Sequence, residues 1–388
     1  MKRLKIAFIT VEDPRDRRTW SGTNYFLWQS MQKHLGDVEL LQPAEPAITL
    51  FFCRLFNQVA LRIFGKRFDW RRSGIVSRAY SRSVQKLISG KHFDLLVFAG
   101  RTALFSHLET EIPIAYIGDR TVSAGLNYHE QLKNLFSFSL KQSLETENMA
   151  FRKAKVLSFP SAWACTSAVN DSGMKPEQVF EIPFGANLDK IPDERTLNFQ
   201  TINRPLTLLF LATRWLEKGG DIALDCLNHL SEKGIESKLI ICGVSPELKA
   251  DDRIEIIPFI NKNDPQQFET LTKLFLRCDL LILPTRYDAY GIVFCEASAY
   301  GIPSIAPETG GISGAIKNGK NGIVVPGNSG GDVYAEKILE MCSDTSAFLQ
   351  LKKNARKLFE EKLNWDNWGR EFSKAISSMN LAPRNIEL

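Results

Sequence analysis

Short apolar runs rich in β-branched residues alternate along this chain with longer segments of helical period. In the first half the runs occupy 5–10, 38–41, 94–100, 112–119, 156–161 and 179–183. In the second they occupy 206–213, 237–243, 253–260, 279–285, 303–307 and 322–326. Strands alternating with helical segments form parallel, doubly wound sheets, so each half predicts a Rossmann-like α/β domain. Between them, 189–205 (DKIPDERTLNFQTINRP) is polar, holds Pro192 and Pro205 and follows neither period. It reads as the linker between a domain at 1–188 and one at 206–364. Ligands of open α/β sheets bind at the carboxyl ends of the strands, and two such sheets facing across a cleft set two substrates opposite one another.

The length of 388 residues is enough for two cores, and 44% hydrophobic with 24% charged residues excludes a disordered or fibrous chain. The seven cysteines, at 53, 165, 226, 242, 278, 295 and 342, show no CxxC and no zinc-type spacing to histidine. They read as reduced thiols of a cytoplasmic protein. The apolar run after Lys2 and Arg3 is too short for a signal peptide, and no uninterrupted run approaches the ~20 residues of a spanning helix. The expectation is a chain neither exported nor transmembrane. A net charge of +5 is too mild to imply nucleic acid, but it is unevenly spread.

The segment PTRYDAYGIVFCEASAYGIP, 284–303, follows an apolar strand and opens a helix. A glycine in such a loop lets the backbone approach a ligand, and the free N–H groups at a helix start suit a phosphate. The contributors would be Tyr290, Gly291 and Ile292. Asp288 in the loop and Glu296 one to two turns into the helix can face one site at different depths, where carboxylates accept from sugar and ribose hydroxyls. The blander alternative makes Asp288 a helix-start residue and Glu296 a solvated one.

A second group, FLATRWLEKGGD at 210–221, places Arg214 and Lys218 where a strand gives way to a glycine turn, with Asp221 placed to cap the next helix. Cations aimed at a departing nucleoside diphosphate stabilise its growing charge. Ordinary surface cations are the alternative. Gly243, ending LIICG, lies at another strand terminus and can admit a nucleotide or simply make a turn.

With these residues in view, the chain resembles the large retaining glycosyltransferase family, family four or glycosyl transferases group 1, whose donor site carries a Glu-x7-Glu motif in the GT-B fold. The resemblance implies two Rossmann-like domains facing across a cleft, with a C-terminal helix, 365–388, crossing back to the first. It puts Arg214 and Lys218 on the donor diphosphate, Glu296 on the ribose and Asp288 near the donor sugar. Asp288 stands where relatives more often have Glu. Glu181 to Asn187 resembles the hinge-side loop, Thr309-Gly310-Gly311 with Asn318-Gly319 the glycine-rich turns after the donor helix, and Trp365 with Trp368 the terminal helix.

In the first half, Trp20-Ser21-Gly22-Thr23-Asn24 resembles the family's glycine loop and is not GxGxxG, which counts against a dehydrogenase. Asp119 ends a strand at the position where relatives often carry an acid or His near the reacting centre. A partner for Arg120 or a helix cap is its alternative. His34, His92, His107, His129 and His229 form no metal-like grouping. The resemblance implies a catalytic set of Arg214, Lys218, Asp288 and Asp119, donor contacts that add Gly22, Gly243, Tyr290, Gly291, Ile292 and Glu296, and neither metal nor cofactor beyond a nucleotide-sugar co-substrate of unspecified base.

Between 51 and 86 lie nine cations, among them Arg62, Lys66, Arg67, Arg71 and Arg72, against the single acid Asp69, interleaved with Phe, Leu, Ile and Trp. Together with Trp20 these form an acceptor or membrane side. Such a segment can lie on an anionic membrane near a lipid-linked acceptor, or form a basic helix pair with its apolar face in the first core. The reading is transfer of a hexose-type sugar from a nucleotide sugar to a hydroxyl of a glycan or glycolipid, of the cell envelope or an exopolysaccharide, with retention. It places the enzyme in the cytoplasm or peripherally on the inner face of the cytoplasmic membrane. A nucleotide-sugar epimerase or phosphorylase on the same fold, and a degenerate scaffold for a partner transferase, are the rivals.

Overall fold

The structure, a computed structural model, describes residues 3–379 except 127, 129–131, 198, 200, 201, 203 and 204. The chain forms two compact units, Met1–Ile182 with Trp368–Leu388, and Pro183–Asn367. The first division falls six residues before the expected 188, and the second at 367 where 364 was expected. The stretch 189–205 groups with the second unit; the Arg356 guanidinium donates to the Pro192 carbonyl at 2.9 Å and to that of Ala299 at 2.7 Å, tying its beginning down.

The first unit runs β1 (Leu4–Ile9), α1 (Thr23–His34), β2 (Gly36–Leu41), α2 (Ala47–Phe64), α3 (Gly74–Ile88), β3 (Leu95–Ala99), β4 (Ile114–Ile117), α4 (Val122–Gly125), α5 (Ser137–Lys153), β5 (Val156–Phe159), α6 (Ala162–Asn170) and β6 (Val179–Glu181). Its sheet is parallel in the order β2-β1-β3-β4-β5-β6. The strand order reverses between β1 and β3, the switch point at which such sheets bind ligands. Strands buried on both faces read as the nearly continuous apolar runs seen in the sequence: Ile6 to Ile9 and Leu95 to Phe98 have no exposed surface.

Two neighbouring helices of this unit use apolar residues in opposite ways. In α3, Val76, Tyr80, Val84 and Ile88 recur every four residues as one buried stripe, and Ser73 caps the helix by accepting the Val76 N–H. In α2 only Leu50 and Ala60 are buried, while Ile48, Phe51, Phe52, Leu55, Phe56, Val59, Ile63 and Phe64 face outward. A helix pair with both apolar faces in the core is therefore not what forms. With 18 residues, a mean hydropathy of 1.4 and Arg54 and Arg62 as its charges, α2 is also long and apolar enough to span a membrane. The expectation concerned uninterrupted apolar runs, and Arg54 and Arg62 interrupt this one; its length and average alone reach the limit.

The second unit runs β7 (Leu206–Leu211), α7 (Gly220–Glu232), β8 (Ser237–Cys242), β9 (Ile254–Ile257), α8 (Pro265–Arg277), β10 (Leu280–Ile282), α9 (Ile292–Ala299), β11 (Ser304–Pro307), β12 (Gly322–Val325), α10 (Gly331–Ser343), α11 (Thr345–Glu361) and the start of α12 (Trp365–Ser377). The parallel order β12-β11-β10-β7-β8-β9 is that of a dinucleotide-binding sheet, with its switch point between β7 and β10. The later part of α12 belongs to the first unit, where Trp368, Phe372 and Ile376 form a buried stripe and a Cβ on Gly369 would meet the His34 ring at 2.4 Å.

Candidate functional site

The two motif loops of the second unit leave β7 and β10, the strands that flank its switch point. After β7 the chain turns at Gly219, which has φ 75° and brings its backbone against the Pro284 carbonyl after β10. A Cβ there would stand 2.0 Å from that oxygen, so only glycine lets the two loops touch. The contact sets Lys218 beside the second motif: its Nζ donates to Asp288 Oδ2 at 2.7 Å and to the Tyr287 carbonyl at 3.1 Å. Both side chains are about one-fifth exposed (21% and 17%), a partly desolvated pair open on one side.

Arg214, on the same loop, is more exposed and pairs with Glu217 at 2.6 Å. The Tyr287 hydroxyl joins these two; burial, then Glu217, raises its pKa. Asp221 does not cap α7 as the sequence suggested. Gly219 is the N-cap, and Asp221 inside the first turn binds Arg286 at 2.7 Å.

Gly291 caps α9 at φ 84°, and a Cβ there would meet the Phe294 ring at 2.3 Å. The first N–H groups of α9, on residues such as Ile292, have no acceptor within the helix and carry the positive end of its dipole. Tyr290, expected among the donor contacts, is buried with its hydroxyl donating to the Phe184 carbonyl at 2.9 Å and its ring on Phe184. Its side chain positions the loop; its N–H donates to Asp288 Oδ1 at 3.2 Å.

Glu296 is 2% exposed, not a solvated helix residue, because every other side chain from Val293 to Ala299 is buried too. It accepts from Lys262 Nζ and from the Asn187 N–H. Burial raises its pKa, with Lys262 opposing. Lys262 escaped the sequence reading: it sits in a loop between β9 and α8 with no motif around it, 34 positions from its partner. Gly243 ends β8 against the Ala212 carbonyl. A cavity of about 1040 Å³ in this unit is lined by Thr309, Gly310 and residues to Lys362, and none of Arg214, Lys218, Asp288 or Glu296 lines it.

In the first unit, Trp20, Ser21 and Gly22 all have positive φ, at 44°, 55° and 90°, before α1 begins at Thr23. Two non-glycine residues in that region cost of order 1–3 kcal/mol each, a cost that clusters at functional loops. Trp20 Nε1 donates to Asp119 Oδ2 at 3.1 Å, so the loop after β1 reaches past the end of β3 to the end of β4. Trp20 thus belongs with Asp119, while Arg67, Arg71, Arg72 and Arg120 gather at a separate small pocket with Asp69. Arg62 lies on α2 and Lys66 just after it, both exposed.

Among the described residues no three His, Cys, Asp or Glu side chains are grouped to hold a metal ion, and His129 lies outside those residues. None of the seven cysteines is in a disulfide.

Residues 194–358 match the family described as glycosyl transferases group 1. The chain is 28% identical over 194 residues to an uncharacterised glycosyltransferase of Methanocaldococcus jannaschii, covering 47% of each chain. It is 27% identical over 216 residues to a D-inositol 3-phosphate glycosyltransferase of Streptomyces bingchenggensis, covering 51% of this chain and 47% of that one. These matches span about half the length of the curated relatives. Among solved structures it resembles the sucrose-phosphate synthase of Thermosynechococcus elongatus (TM-score 0.68, 15% identity, 97% and 99% of the two chains). It also resembles Anabaena HepE in complex with UDP and glucose (TM-score 0.63, 16% identity, 97% and 100%). Residues 194–358 are therefore a glycosyl transferases group 1 domain, in a chain that takes the two-domain α/β fold of the GT-B glycosyltransferases.

Proposed function

We propose that the protein transfers a hexose-type sugar from a nucleotide sugar to an acceptor hydroxyl, with retention of configuration. The observation that carries this reading is that both acids of the segment following β10 are held by a lysine from another loop, Asp288 by Lys218 and Glu296 by Lys262. Glu296 accepts from the ribose hydroxyls. The donor diphosphate competes with Asp288 for Lys218 and meets the α9 N–H groups, while Asp288 turns to the sugar.

As the bond from anomeric carbon to phosphate oxygen breaks, its electron pair moves to the phosphate, and Lys218 with Arg214 stabilises the new charge. The acceptor oxygen attacks from the same face, and its proton passes to the departing phosphate. Asp119 orients the acceptor. Lysine and arginine supply the positive charge, so the reaction as written uses no metal or cofactor.

The acceptor is a glycan or lipid-linked molecule, and α2 rests on the anionic inner face of the cytoplasmic membrane. Ala47 to Phe64 contains no acid, its outward apolar residues run beside Arg54 and Arg62, and Lys66, Arg67 and Arg71 follow. Each Phe or Ile moved from water into an acyl layer contributes about 1.5–3 kcal/mol.

Calorimetric titration with UDP, GDP, ADP and dTDP tests the donor site, UDP first because HepE binds it. One nucleotide should bind and weaken in Glu296→Ala; a folded protein that binds none would overturn the reading. Flotation should carry the chain with anionic but not zwitterionic vesicles, and Phe51→Ser with Phe52→Ser should abolish it. No flotation, or a dimer in solution that those substitutions disperse, would assign α2 to a second copy.

A further inference from the structure

The arginine pocket of the first unit takes no part in the chemistry above. Its volume is about 100 Å³, several times the ~10–15 Å³ that admits one water, so it accommodates a group with several oxygens. Four arginines, Arg67, Arg71, Arg72 and Arg120, are among its lining residues, against one acid, Asp69, and Arg71 is also open to solvent. Arg72 is committed to Asp69 at 2.9 Å. Among the described residues, Arg67, Arg71 and Arg120 make no ion pair. Burial, then Arg101, lowers the pKa of Arg71, and burial does the same to Arg120 despite Asp119. Positive charge is in excess here.

The pocket is held rigid. Asn57 Oδ1 accepts the Phe68 N–H at 2.7 Å, which leaves the Asn57 amide nitrogen as a further donor. The Asp69 N–H donates to Ser139 Oγ at 2.8 Å, and Ser143 Oγ donates to the Asp69 carboxylate at 2.9 Å. Thr146 Oγ1 binds the Arg72 carbonyl at 2.8 Å. Arg71 lies over the Trp70 ring at 4.4 Å and Arg54 at 4.8 Å, which orders both forks without neutralising them.

Planar guanidinium forks on a fixed loop match the oxygens of a phosphate, each capable of two parallel charge-assisted hydrogen bonds. We propose that this pocket binds a phosphate group carried by the acceptor, held by Arg67, Arg71 and Arg120. Calling the ligand an acceptor rests on the glycosyl-transfer reading; the phosphate binding does not. The phosphate has two possible carriers, a lipid headgroup at the membrane or a soluble phosphorylated sugar.

The test is thermal unfolding and phosphorus NMR line broadening of the full chain with inorganic phosphate. Wild type and Lys218→Gln should both be stabilised and both broaden the signal. Arg67→Gln with Arg71→Gln should weaken binding at least tenfold while keeping the native circular dichroism, and Arg67→Lys with Arg71→Lys should recover only part, because an ammonium lacks the fork. Unchanged binding in the Gln variant overturns the proposal. So does loss confined to Lys218→Gln, which would put the phosphate in the donor site, or no effect on folded wild type through the millimolar range.

Vesicles bearing a phosphomonoester lipid, against vesicles of equal charge without one, separate the carriers. Preference for the former that Arg67→Gln with Arg71→Gln abolishes assigns a lipid, and tighter binding of glucose 1-phosphate than of inorganic phosphate without that preference assigns a soluble compound. UDP binding measured on the same samples separates the two claims. UDP binding without a phosphate effect defeats the pocket alone, and a phosphate effect without UDP binding defeats the donor site alone.

Discussion

The two units share an architecture and differ in how they balance charge. In the second, the three cations of the candidate donor site already have carboxylates: Lys218 has Asp288, Lys262 has Glu296 and Arg214 has Glu217. In the first, the arginines of the small pocket outnumber the carboxylates, and Asp69 serves one of them. A balanced site keeps its side chains in place until a ligand exchanges with one partner, which suits positioning a substrate and stabilising charge that appears only during reaction. A site with excess charge attracts an anion that arrives already charged.

This contrast fails first at Lys218 if it is wrong. Lys218→Ala should lower kcat by about 10²–10³ with a smaller change in KM, since the charge it meets grows in the transition state. A steady-state assay with labelled donor reads this, and an unchanged kcat would remove Lys218 from the chemistry.

Next comes the loop contact. Gly219→Ala forces a Cβ into the Pro284 carbonyl at a positive φ, and should destabilise the second unit by at least about 2 kcal/mol. Urea melts followed by tryptophan fluorescence measure it; a neutral result would mean the two loops can part freely.

Glu296→Ala should weaken nucleotide binding about tenfold to a hundredfold, the scale of charge-assisted hydrogen bonds at ~1.5–3 kcal/mol, and Lys262→Met should recover part of any lost stability by removing the orphaned ammonium.

The smallest effect lies in the first unit. Burial pushes the Glu147 carboxyl up to about 7 from 4.5, opposed by Arg72 and by the Val122 N–H. Between those values the native state holds a proton that the unfolded chain has released, so stability should fall as pH rises through that window. Melts at pH about 5 and about 7 should show this slope in wild type and its loss in Glu147→Gln.

The strands were legible because a sheet buried on both faces leaves continuous apolar runs; each of the twelve runs contains or overlaps one strand. The loops carrying Lys218 and Asp288 were legible because strand ends and turn glycines mark them. Lys262 was not, since its pairing with Glu296 is a tertiary contact between loops with no shared pattern. The burial of Glu296 did have a signal: IVFCEASA offers no polar face, so an acid within it has nowhere solvated to turn. The outward face of α2 was ambiguous because its apolar residues surround the helix, whereas α3 confines them to one stripe.

The division of labour is tested most directly by hydrogen–deuterium exchange of the full chain with and without UDP. The account predicts slowed exchange in peptides covering 212–222 and 287–299 and none in 65–73. Protection of 65–73, or no protection of either donor loop by a nucleotide shown to bind, would contradict it.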